Sequence, residues 1–98
     1  MAYRLFWTPL AVQDLRDLCG YIARDNPAAA QRMGEALLKQ AETLALFPQS
    51  GRRVPEKKDP QVRETIVGSY RIIYRIDEAK KVLAIARVWH SARGMPPL

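Results

Sequence analysis

Two dipeptides, Thr8-Pro9 and Asn26-Pro27, constrain this chain more than any other feature. In each, a short polar side chain stands where an N-cap oxygen takes a free backbone N–H, and proline follows at the first helical position, where no N–H is needed. Each pair opens a helix, and the second ends the first near Arg24. The apolar stripe Ala11, Leu15, Leu18, Ile22 keeps helical spacing, with Asp14, Arg16 and Asp17 largely off it. Ala30, Met33, Leu37, Ala41 and Leu44 form a second stripe. So short a link between the two forces an antiparallel helical hairpin whose apolar faces turn to a common neighbour.

Strands supply that neighbour. Tyr3 to Trp7 is short, aromatic-rich and broken by Thr8-Pro9. Phe47-Pro48-Gln49-Ser50-Gly51 stops the second helix, and Arg52 to Pro60, which has no apolar periodicity, reads as a surface loop. Val62–Val67 and Tyr70–Ile76 flank Gly68-Ser69, a two-residue hairpin turn by composition. Asp77 to Lys80 makes a further turn, and Val82 to Trp89 is almost wholly apolar, as in a central strand. Ninety-eight residues is one domain's worth, spanning 1–98. The predicted fold is α+β in the order β-α-α-β-β-β: an N-terminal strand, then a helical hairpin packed on one face of a mainly antiparallel twisted sheet.

Parity within the last two strands sorts side chains by face. Tyr70, Ile72, Tyr74 and Ile76 form one set; Arg71, Ile73 and Arg75 form the other. In the last strand Val82, Ala84, Ala86 and Val88 suit close helix packing, which puts Leu83, Ile85, Arg87 and Trp89 on the opposite face. Arg71, Arg75 and Arg87 then share an open face beside Ile73 and an indole, a surface for phosphate, carboxylate or stacked base. The alternative is that they pair with Glu64, Asp77 or Glu78 and keep the sheet soluble.

Apolar runs such as Val82–Ala86 and Leu44–Phe47 are far below the roughly eighteen residues of a membrane span. Arg4, Thr8 and Pro9 interrupt any export signal, so the expected compartment is the cytoplasm. One cysteine, Cys19, and one histidine, His90, cannot complete a zinc site or a disulfide. Charge is divided unevenly. Residues 1–49 hold five basic and five acidic side chains, whereas residues 50–98 hold eleven and five, so the whole excess of +6 lies there. That asymmetry suits an anionic partner, nucleic acid or acidic polypeptide, and equally a merely basic soluble surface.

His90, at a strand end, reads either as a local hydrogen-bonding residue or as an acid–base group. Tyr70 and Tyr74 read as amphipathic core residues and Cys19 as a packed thiol. Gly20 and Gly34 lie mid-helix, where each costs about 1 kcal/mol against alanine, and close approach of the two helices would explain them. Lys57-Lys58 is a solvated loop pair with some capacity to contact nucleic acid.

Read in order, Trp7-Thr8-Pro9, Asp14-Leu15, Tyr21-Ile22-Ala23, Asn26-Pro27, Phe47-Pro48, Gly51-Arg52, Arg63-Glu64, Tyr70-Arg71-Ile72-Ile73-Tyr74-Arg75, Val88-Trp89-His90 and Arg93 resemble the ParE/RelE superfamily of toxins from type II toxin–antitoxin systems. The resemblance is nearer to the ParE branch, whose members poison DNA gyrase, than to the RelE branch, whose members cleave mRNA on the ribosome. It implies the strand, helix pair and three-strand layout inferred above, and no cofactor or metal. It also implies a cognate antitoxin whose disordered C-terminal segment wraps the toxin in a hetero-oligomer. Its expected contacts are Leu15, Leu18, Ile22, Arg71 and Arg75.

The two branches demand different chemistry. Cutting RNA through its 2′-hydroxyl needs a base, an acid for the leaving 5′-oxygen, and cations for the phosphorane. Glu64 and His90 are the candidates for proton transfer, and Arg71, Arg75 and Arg93 for the clamp. The tail after His90 lacks the tyrosine or lysine set frequent in the family's nucleases. A gyrase poison needs no catalytic group, only a surface that binds the DNA-cleaved state better than the others. For that surface the candidates are Arg63, Arg71, Arg75, Arg87, Trp89, His90 and Arg93. The leading expectation is a non-enzymatic gyrase inhibitor. The alternatives are a ribosome-dependent endoribonuclease and a non-toxic homologue that only binds antitoxin.

Overall fold

The computed structural model describes residues 2–98. Strand β1 (Arg4–Trp7) leads through Thr8 into helix α1 (Pro9–Ala23), and helix α2 (Pro27–Leu46) follows at once. Both expected caps form. The Thr8 hydroxyl accepts from Ala11 N at 3.2 Å and the Asn26 side chain accepts from Ala29 N at 3.0 Å. A 3₁₀ turn (Pro48–Ser50) precedes β2 (Arg52–Arg53), β3 (Val62–Val67), β4 (Tyr70–Asp77) and β5 (Val82–His90), and a second 3₁₀ turn covers Ser91–Arg93. The two-residue strand β2 is an addition to the sequence reading; so short a basic segment carries no strand periodicity.

The sheet order is β1-β5-β4-β3-β2, with β1 parallel to β5 and every other pair antiparallel. The helical hairpin covers one face. Ala11, Leu18, Leu37, Ala41 and Leu44 pack there against Tyr70, Ile72, Tyr74, Ile76, Leu83, Ile85 and Val88. Burying each large aliphatic side chain contributes about 1.5–3 kcal/mol. At Gly34 a Cβ would meet Cys19 Sγ at 3.3 Å, so that glycine serves close helix approach, whereas Gly20 has nothing within 4 Å.

The parity expected for β5 is corrected by a bulge. Ile73 pairs with Arg87 but Tyr74 pairs with Ile85, so Ala86 is the extra residue and the strand's faces exchange across it. Before the bulge Leu83 and Ile85, rather than Val82 and Ala84, face the helices; after it Val88 does.

The opposite face is not open. Val54, Val62 and Ile73 form a second buried cluster beneath Met95, so the 54–61 loop and the C-terminal tail lie across it. No helix among the described residues is long and apolar enough to cross a membrane.

Candidate functional site

Arg71, Arg75 and Arg87 do not share a free surface. Each ends on a carboxylate; for the buried Arg71 and Arg87 the physical reason is that a guanidinium beneath a loop or tail must be paired to remain charged, whereas Arg75 stays half exposed. Arg71 is 6% exposed. Its Nε donates to Glu64 at 2.7 Å, its Nη2 reaches Glu56 at 3.2 Å and its Nη1 donates to the Gly94 carbonyl at 2.8 Å. Burial alone would lower its pKa, but the hydrogen bonds and charges of Glu64 and Glu56 hold it above the usual arginine value. Glu64 is fully buried, and its second oxygen takes Arg52 at 2.6 Å. Arg75 pairs with Asp59 at 2.8 Å near the loop's far end. Arg63, whose register partner Tyr74 faces the helices, donates to the Gly51 carbonyl at 2.9 Å.

A different part of the molecule gathers the remaining candidates. Strand β1 stops at Trp7, so the edge of β5 beyond Ile85 has no strand beside it. Helix α1 takes that place. The Thr8 hydroxyl lies 2.9 and 3.1 Å from the Ile85 and Ala86 carbonyls. Six residues further along the helix, Asp14 accepts from Val88 N at 3.0 Å and from Arg87 Nε and Nη2 at 2.8 and 2.9 Å. That hydrogen-bonded pairing raises the Arg87 pKa. Arg87 also donates to the Pro97 carbonyl at 2.7 Å, tying the tail to the same edge.

Beside this joint, a cleft of ≈ 510 Å³ lies between α1, through Asp14, Asp17 and Tyr21, and the strand ends, through Tyr70, Trp89 and His90, with Arg93 on its border. The Arg93 and Arg87 guanidiniums lie 3.8 and 4.7 Å from the Trp89 ring centre, within cation–π range. The Trp89 indole N–H is buried with no acceptor among the described residues. His90 meets the Tyr70 ring edge-on at 5.2 Å, and its Nδ1 accepts from Ala92 N at 3.1 Å, so its neutral form carries the proton on Nε2.

Four of the seven expected target-binding residues, Arg87, Trp89, His90 and Arg93, therefore come together, and Arg63, Arg71 and Arg75 do not. The expected nuclease set is dispersed: Glu64 and Arg71 sit under the tail, Arg75 at the loop, and His90 and Arg93 at the cleft. Leu18 is buried, and Leu15 and Ile22 pack against the core, so all three are occupied by the chain's own sheet. Asp14, Asp17 and Tyr21 escaped the sequence reading. Asp14 stands three residues after buried Ala11, and that position beside the stripe was the available signal.

A family model described as the ParE toxin of type II toxin–antitoxin systems matches residues 5–95. The chain belongs to this toxin family, within the ParE/RelE superfamily. A Caulobacter vibrioides protein named Toxin RelE2 is 35% identical over 91 residues, covering 92% of this chain and 97% of the relative. A chain of the RelBE2 toxin–antitoxin complex from Mycobacterium tuberculosis superposes with a TM-score of 0.68 at 25% identity, over 92% of this chain and 99% of that one. A chain of the chromosomal ParDE system of Pseudomonas aeruginosa gives 0.72 at 22% identity, over 91% and 96%. The ParE/RelE scaffold thus accounts for the observed order of strand, helix pair and antiparallel strands.

Proposed function

We propose that this toxin acts by binding rather than by cutting, and that it traps DNA gyrase in its DNA-cleaved state through the cleft formed by α1, Trp89, His90 and Arg93. The observation that carries this reading is Glu64. It is the one carboxylate the RNA-cutting mechanism offers as a base, yet it is wholly buried with both oxygens bound to guanidiniums, so no oxygen is open to a substrate hydroxyl. The cleft instead offers what a partner interface uses: aromatic walls and a cation stacked on an indole.

A cognate antitoxin belongs to the same reading, supported by the antitoxin-bound assemblies of the two mycobacterial and pseudomonad neighbours. With Leu15, Leu18 and Ile22 turned inward, its seat on the hairpin is the outward side, where Tyr21, Leu38, Leu46 and Phe47 are exposed.

Cleavage of ribosome-bound message is the second reading, favoured by the identity to a relative named RelE2. It would have to run on His90 and Arg93 without Glu64. The discriminating experiment incubates the purified chain with gyrase and supercoiled plasmid, and separately with translating ribosomes. Linear DNA with intact message is the expected result; cut message with intact plasmid overturns it. Neither product, with antitoxin still bound, would identify a non-toxic homologue.

A further inference from the structure

We infer that the Arg53–Lys58 loop is a docking surface for the sugar–phosphate backbone of duplex DNA, separate from the cleft. Residues 52–60 carry four cations and two carboxylates. Both carboxylates are paired with β4 guanidiniums while remaining partly exposed, Glu56 with Arg71 at 3.2 Å and Asp59 with Arg75 at 2.8 Å. Arg52 is taken by Glu64. What the loop presents to water without a counter-charge is Arg53, Lys57 and Lys58, all exposed and without an ion-pair partner among the described residues. The fold thus pairs both of the segment's carboxylates and leaves three of its cations without a counter-charge.

The loop is also fixed in place. Val54 is 1% exposed and packs with Val62 and Ile73, Lys57 N donates to the Val54 carbonyl at 3.1 Å, and Asp59 accepts Gln61 N at 2.9 Å. Little ordering cost remains for a partner to meet.

The chemistry of the exposed side chains selects that partner. Two prolines apart, every exposed residue of the loop is charged, because its aliphatic side chain, Val54, is buried. A protein interface needs an apolar or aromatic core, and single-stranded nucleic acid needs an aromatic platform for its bases. Cations on a rigid turn suit the repeating phosphates of a duplex, which position a protein without reading sequence. The choice of DNA over RNA rests on the gyrase reading, where a cleaved duplex lies beside the toxin.

The test is fluorescence anisotropy with a labelled DNA duplex across a salt series. It compares the wild-type chain, the loop variant R53Q/K57Q/K58Q, and a control, R16Q/R24Q/R32Q, that removes the same charge from exposed positions of the helical hairpin and its link. The inference expects binding that weakens at least tenfold in the loop variant, with the salt dependence flattening by about 0.9 for each phosphate contact removed. The helical control should retain most of the affinity. Equal losses in both variants, an unaffected loop variant, or no duplex binding by the wild type at low salt would overturn it. Duplex RNA of the same sequence bound as tightly as DNA would also overturn it. Should the triple variant not fold, K57Q/K58Q gives the same comparison. Gyrase trapping is scored separately: intact duplex binding with no linear plasmid would refute the gyrase reading and leave the loop assignment standing.

Discussion

The two faces of the sheet are filled by different means. Beneath the helices, Leu18, Leu37, Leu44, Ile72 and Ile85 interdigitate in an apolar layer. On the other side, a loop and a tail with no secondary structure of their own are held down by Arg71, Arg75 and Glu64 over a small apolar cluster. Periodic elements announce their buried side in the sequence; a cover of irregular chain does not. Cations that parity assigns to solvent therefore become fasteners, and the surface left for partners moves to the α1–β5 edge.

Removing Glu64 tests this division most severely. Glu64→Ala leaves Arg71 short of its main partner in a sealed site and should cost about 3–5 kcal/mol in denaturant unfolding. Leu37→Ala on the apolar face should cost a similar ~2–5 kcal/mol, through a cavity instead of a stranded charge. A negligible loss at Glu64 would mean that the outer cover adds nothing to stability. Asp14→Ala removes the acceptor for Arg87 and Val88 N and should cost about 1.5–3 kcal/mol, with a shift in tryptophan emission from the ring beneath Arg87. Emission unchanged on that substitution would separate the cleft from its joint.

The smallest effect is that of pH on the loop. The Glu56 carboxyl is held below its ordinary 4.5 by a backbone hydrogen bond and then by Arg71, and Asp59 below its ordinary 3.8 by the Gln61 N–H and then by Arg75. Because both native values are depressed, the attachment they provide is complete above those ordinary values and is lost as pH falls through the native ones. Amide shifts of Val54 and Gln61, followed by NMR, should stay constant above pH 4.5 and move together below it. Movement near neutrality would contradict the assignment.

Much of the fold was legible because its signals are local. Thr8-Pro9 and Asn26-Pro27 cap as expected, the hairpin stripes face the sheet, and β3, β4 and β5 differ from their expected ranges by at most one residue at an end. The Ala86 bulge was not legible, since an apolar run such as Val82–Ala86 reads equally well in either register. The site was half legible. Trp89 and His90 end the strand, Arg93 follows in the adjoining 3₁₀ turn, and the three stay together, but Arg71 and Arg75 are paired with Glu56 and Asp59, a pairing that leaves no periodic trace.

The central claim is that the cleft, and not the arginine-bearing sheet face, meets the target. Its most direct test is gyrase-dependent plasmid linearisation by Arg93→Ala beside Arg75→Ala, with both variants verified as folded by circular dichroism. The account predicts that linear DNA disappears with Arg93→Ala and persists with Arg75→Ala. Full activity of Arg93→Ala together with loss in Arg75→Ala would contradict it.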